Sequence, residues 1–109
     1  MKIKTVRHFA VPLLCTLLGS AVQAQGANQE SLYVRSLAAT CANCHGTDGG
    51  VVAGSAMASL AGLDKAYFIA QMSAFKSGTR TATVMHQISK GFSDAQIQNL
   101  AAYFAAQKK

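Results

Sequence analysis

Within five consecutive positions, Cys41-Ala42-Asn43-Cys44-His45, the chain sets two thiols and an imidazole so close together that any fold it adopts must be built around what they hold. Two residues between the cysteines is the spacing of a cofactor, a metal ion or a redox dithiol more than of a structural bridge. The pattern matches the attachment site of a c-type haem in full. Two thiols one helical turn apart can add across the two vinyl groups of one haem, and the imidazole next in line can reach its iron. A zinc site would have to combine both cysteines with His45 and His86, but structural zinc sites present their second ligand pair as its own spaced couple, and none occurs here. A thioredoxin-like dithiol needs a βαβ surround, against which the helical periods described below argue.

The first two dozen residues have a different composition from the rest. Lys2, Lys4 and Arg7 give a positive start, Phe9 to Ala21 are uncharged and mostly apolar, and Val22-Gln23-Ala24 offers small residues at a cleavage position. This is the pattern of a secretory signal, with cleavage expected after Ala24. The apolar stretch is shorter than the ~20 residues a helix needs to cross a bilayer, and no second one follows, so no stable membrane insertion is expected. Cys15 lacks the small preceding residue of a lipid attachment site, because Leu14 stands there. The expected product is a periplasmic domain of residues 25–109, small enough that its core needs help from a cofactor.

The formal net charge of +6 is half due to the signal. Beyond Ala24, Arg35, Lys65, Lys76, Arg80, Lys90, Lys108 and Lys109 oppose Glu30, Asp48, Asp64 and Asp94, leaving +3. These cations are scattered, which argues against nucleic-acid binding. Lys65, Lys76, Arg80 and Lys90 flank the regions expected around the haem and suit the steering of an acidic protein partner.

The periodicities read as all-α. Val34, Leu37, Ala38 and Cys41 share one helix face, with Asn28 or Ser31 available as the cap. Gly46 to Gly62 is a glycine-rich loop suited to lying against something flat. Asp64 caps a second helix with an apolar stripe of Phe68, Ile69, Met72 and Phe75, ended by Gly78. A short turn is expected around Val84 to Ile88. Ser93 and Gln96 then form a capping box before a last helix faced by Ile97, Leu100, Ala101 and Phe104.

Three methionines beyond the signal could supply a sixth ligand to the iron. Met72 fits a core stripe. Met57 is 12 residues after His45, within an extended reach of up to ~40 Å, so length does not exclude it. Met85 lies 40 residues after His45, leaving room for a loop and a helix to pass around the haem edge. Met85 is the favoured ligand, since methionine with histidine is the usual pair for electron transfer at raised potential, and His86 is its main rival.

Cys41-Ala42-Asn43-Cys44-His45-Gly46, Ser59-Leu60-Ala61-Gly62, Phe75 with Ser77-Gly78 and Arg80, Val84-Met85-His86, and Ser93-Asp94 ahead of the Leu100 to Phe104 helix together resemble class I bacterial cytochromes c. Within that class the chain looks most like the haem subunit of flavocytochrome c sulfide dehydrogenase. The resemblance covers nearly all of residues 25–109. It implies a small all-α cytochrome c fold packed around one covalent haem c, held by Cys41 and Cys44 with His45 and Met85 on the iron. It also implies one-electron transfer without substrate chemistry, from a sulfide-oxidising flavoprotein subunit to another redox protein. A free cytochrome shuttling between respiratory or photosynthetic complexes is the alternative. A haem enzyme or gas sensor with an open sixth site is the alternative of another class. The family usually has a proline whose carbonyl accepts the proton of the axial histidine's other nitrogen; here Ala58 stands there, and its carbonyl serves if the loop holds its shape.

Overall fold

A computed structural model describes residues 12–109, with side chains placed from Asn28 onward. Lys2 to Val11, the start of the expected signal, and the side chains around Ala24 lie outside the described residues. The chain divides into two units, one ending at Ser31 and one covering Leu32–Lys109. The second unit holds the features treated below.

The described residues hold four α-helices: α1 (Pro12–His45), α2 (Lys65–Ser77), α3 (Met85–Ile88) and α4 (Asp94–Ala105). Single 3₁₀ turns lie at Thr47–Gly49 and Ser89–Gly91, and no strand occurs among the described residues. The sequence placed the start of the first helix at Asn28 or Ser31, whereas α1 begins at Pro12. Leucine and alanine in residues 13–24 favour helix, and proline is tolerated in the first turn, so nothing local halts the helix at Asn28. Despite its 34 residues, α1 is not apolar enough to cross a membrane, and no other described helix is.

The remaining boundaries follow local chemistry. The Asp64 carboxylate accepts from the Tyr67 backbone N–H at 2.9 Å, occupying one of the donors a helix start leaves free. Gly78, in the left-handed conformation, ends α2. At α4 the Ser93 hydroxyl accepts from Gln96 N at 3.2 Å, while the Gln96 side chain accepts from Ser93 N at 2.8 Å. This is the reciprocal capping box read from the sequence.

The apolar face of α4 is the centre of the core, with Ile97, Leu100, Ala101 and Phe104 at most 2% exposed. It packs on α2, where the Phe68 and Phe104 rings lie 5.7 Å apart between centroids. Ala38 from α1 and Met72 from α2 complete the buried cluster, and Leu37 and Cys41 lie against it. Polar contacts pin the periphery: Lys76 donates to the Phe92 carbonyl at 2.8 Å and to the exposed Asp94 carboxylate at 2.9 Å, and Gln96 donates to the Tyr33 hydroxyl at 2.8 Å.

Because Leu100 is fully buried and the cavity left by truncation can only partly collapse, Leu100→Ala should destabilise the protein by about 2–5 kcal/mol. Leu32, 63% exposed, is the matched control, and its truncation should stay within about 0.5 kcal/mol of wild type. Chemical denaturation of the two variants beside wild type checks both values.

Candidate functional site

The last turn of α1 carries both cysteines, and α1 ends on His45. A separation of three residues puts the thiols near one another on one face of that turn. Cys44 is exposed and Cys41 half-buried. Burial pushes the Cys41 thiol pKa up, opposed by a weaker contact with the Thr40 hydroxyl.

His45 is only 8% exposed, and its Nδ1 lies 2.7 Å from the carbonyl oxygen of Ala58. A carbonyl can only accept, so Nδ1 carries the proton and the neutral ring keeps its lone pair on Nε2. Among the described residues, Nε2 has no hydrogen-bond partner. An imidazole oriented in this way presents one nitrogen to a metal while the other is fixed by the backbone.

The backbone around Ala58 is held by a single acceptor. The Gly49 carbonyl receives the Ser59 hydroxyl at 3.0 Å, Leu60 N at 2.9 Å and Ala61 N at 3.2 Å. These three donors follow Ala58 directly, so the segment presenting its carbonyl is tied down without a proline. Gly49 has φ +80°, and a Cβ there would sit 2.7 Å from Leu60 Cβ and 2.9 Å from Phe104 Cδ1. The neighbouring Asp48, at φ 54°, accepts a hydrogen bond from the Tyr103 hydroxyl, which keeps the Tyr103 pKa raised. The sequence marked this loop as glycine-rich and, through the family resemblance, Ala58 as the acceptor for the histidine, but not the bonds that converge on the Gly49 carbonyl. The bond network was not readable because it joins positions that share no period.

Cys41, Cys44 and His45 open onto a cleft of about 280 Å³ whose far side is built by α2 and α3. Met85, the first residue of α3, lines the same cleft, as do Met57 and Met72. Met57 adjoins Ala58 and so belongs to the wall that holds His45, while Met72 is 5% exposed within the core cluster. Met85 is half-buried on the separate α3 segment. His86 does not line the cleft, and its Nδ1 is buried without a partner. Leu60, Leu63, Tyr67 and Phe92 also line the space; of these the sequence named only Leu60, as part of the motif Ser59-Leu60-Ala61-Gly62.

This donor set fits a c-type haem. The walls are chiefly apolar, two thiols sit at one edge, and an imidazole with an unengaged Nε2 and a thioether sulfur face the interior. A hard cation would find too little oxygen here, and among the described residues no cluster of three or more His, Cys, Asp or Glu side chains could hold a metal ion.

The comparisons with known proteins agree with this chemistry. A family model described as cytochrome C oxidase, cbb3-type, subunit III matches residues 24–104. A thiosulfate dehydrogenase electron acceptor of Stutzerimonas stutzeri is 33% identical over 103 residues, covering 91% of this chain and 47% of that protein. The cytochrome subunit of sulfide dehydrogenase of Chlorobaculum tepidum is 40% identical over 68 residues, 62% of this chain and 60% of that one. Cytochrome c-552 of Acidithiobacillus ferridurans is 35% identical over 88 residues, 81% of this chain and 35% of that one. The chain thus spans less than two thirds of the length of each of these relatives.

Two glycines with similar backbone angles test the loop. Gly49→Ala meets the strain of a left-handed φ and the two close contacts, whereas at Gly54, φ +83°, a Cβ meets nothing within 4 Å. Gly54→Ala should cost about 1–2 kcal/mol from the backbone alone, and Gly49→Ala distinctly more. Denaturation midpoints at constant m-value check the ranking.

Proposed function

As a member of the cytochrome c family, this chain carries covalently bound haem c and serves electron transfer, and we propose that Cys41 and Cys44 hold that haem while His45 and Met85 ligate its iron. The observation that carries the assignment is the shared cleft: Cys41, Cys44, His45 and Met85 all line one chiefly apolar space, and the His45 Nδ1 is engaged by the Ala58 carbonyl. When bound, haem supplies a single-electron Fe(III)/Fe(II) couple.

The chain's own residues set the terms of that couple. The Ala58 carbonyl fixes the His45 tautomer and makes the ring a better donor to a metal. The Met85 thioether is a neutral, soft donor, which favours the lower charge of the reduced state and raises the potential. Phe68, Met72, Leu60 and Leu63 keep the interior dry, which acts in the same direction by disfavouring extra positive charge. With His45 and Met85 both holding the iron, no position would be left on it for a substrate, and the protein would relay electrons without substrate chemistry of its own.

In this reading residues 1–24 are an export signal and residues 25–109 work in the periplasm. The electron donor is a sulfide-oxidising flavoprotein, supported by the relative named as the cytochrome subunit of sulfide dehydrogenase. The relative named as a thiosulfate dehydrogenase electron acceptor, matched along 91% of this chain, favours a second donor of related chemistry, a thiosulfate-oxidising enzyme. Mixing the oxidised protein with each reduced dehydrogenase under stopped flow separates the two, since the true donor reduces it at low concentration in a saturable phase.

Met85→Ala should abolish the weak red charge-transfer absorption of thioether-ligated ferric iron and let the reduced protein bind carbon monoxide, while His86→Ala should leave both properties unchanged. Absorption spectra of the purified haem-loaded proteins decide this. Ready carbon monoxide binding by the wild type would favour a gas sensor or haem enzyme instead.

A further inference from the structure

The short segment that carries Met85 has little of its own to hold it. Helix α3 has four residues, no side chain caps its start at Val84, and none of its residues is fully buried. A helix of that length is not stable by itself and depends on its surroundings. The chain runs on without a break into the 3₁₀ turn Ser89–Gly91, since Ile88 and Ser89 both keep right-handed helical angles. Residues three apart therefore share a face here. Met85 and Ile88 line the cleft, whereas His86 and Ser89 do not. Ser89 is fully buried, and its hydroxyl has no hydrogen-bond partner among the described residues. The same holds for the buried Nδ1 of the half-buried His86 ring.

Burying a hydroxyl or a ring nitrogen without a partner costs stability, and an alanine at position 89 would carry no such cost. Here two such groups stand one turn apart on one face, and they are not within hydrogen-bonding geometry of each other. That is the chemistry of a site for one small molecule that both donates and accepts. We propose that His86 Nδ1 and Ser89 Oγ share one bound water, which ties the two turns of this segment together and so holds Met85 in place. The Ser89 hydroxyl donates to the water, and the water donates to Nδ1, leaving Nε2 to carry the ring proton. His86 and Ser89 are then positioning residues for the thioether, which rests on the reading of Met85 as an iron ligand given above. His86, a rival ligand on the sequence, acts on the iron through Met85 instead.

A crystal structure of the haem-loaded protein tests the site, and cyanide binding to its ferric form tests the consequence. One ordered water within hydrogen-bonding distance of both atoms is expected; no water there, or a direct bond between the two side chains, would overturn the proposal. Cyanide can take the iron only after Met85 leaves, so at saturating cyanide the binding rate is the rate at which the segment opens. Ser89→Ala and His86→Phe should each raise that rate about three- to tenfold. The double variant should open no faster than either single one, because one shared link is lost only once. Met85 stays on the iron at equilibrium in all three, so the red absorption persists. A Ser89→Ala rate at or below that of wild type, the result for a hydroxyl that is simply an unpaired burden, would sink the idea, as would additive effects. If the variants do not accumulate, the wild-type crystal structure decides. Cyanide binding by the wild type with no saturating rate would instead refute Met85 as a ligand, so the two failures are distinguishable.

Discussion

One hydrogen bond, from His45 Nδ1 to the Ala58 carbonyl, links the helix that carries the thiols to the loop that closes over it. Its influence reaches further because the loop is not free. Ala58 is followed by three donors that converge on the Gly49 carbonyl, and Gly49 approaches Phe104 so closely that no side chain fits between them. Phe104 in turn packs on Phe68, which belongs both to the core and to the far side of the cleft. The imidazole is therefore connected through short, fully packed steps to the wall it faces. Packed interiors yield little, so the spacing between walls is set by the fold as a whole.

This arrangement also explains how so few residues suffice. Among the described residues the buried cluster consists of Ala38, Phe68, Met72, Ile97, Leu100, Ala101 and Phe104, a small core. Phe68 and Met72 lie in that cluster and line the cleft, so a haem bound there extends the same apolar interior. Stability and cofactor binding are then linked by mass action: whatever binds the folded chain and not the unfolded one stabilises the fold. Covalent tethering strengthens the link, because the group cannot leave when the chain opens.

Much of this was legible in the sequence, for identifiable reasons. Helices α2 and α4 announce themselves because period, cap and stop coincide within a dozen residues: Asp64 with Gly78, and Ser93 with Gln96 before the Ile97, Leu100, Ala101 and Phe104 face. Cys41, Cys44 and His45 stand out in the sequence because their motif is local, and the structure brings all three to one cleft. The beginning of α1 was not, since a helix-favouring segment precedes Asn28 and offers no stop. The Gly49 carbonyl, the Tyr103 bond to Asp48 and the anchoring of Arg80 by Gln71 and Phe75 were also hidden. Those depend on residues that meet only after the helices have packed, and no periodicity within one element encodes them.

The choice of redox partner lies at a different level from the choice of cofactor. The chain is similar to proteins whose names assign them to different sulfur-compound dehydrogenases, so membership of the family does not by itself specify the donor. Specificity must come from surface that a partner can touch. Met57, Tyr67, Val84 and Ile88 are exposed and yet line the cleft, which makes its mouth an apolar area beside the proposed haem site. Lys65 stands two residues before Tyr67 and Lys90 two after Ile88, so both cations are close in sequence to residues of that mouth. An apolar centre with charged surroundings favours fast, oriented encounters, because the charges act at long range while the apolar contacts form only on close approach. A carrier must also release its partner after each electron, and exposed charge pairs add little affinity in salt, so steering by these lysines is compatible with turnover.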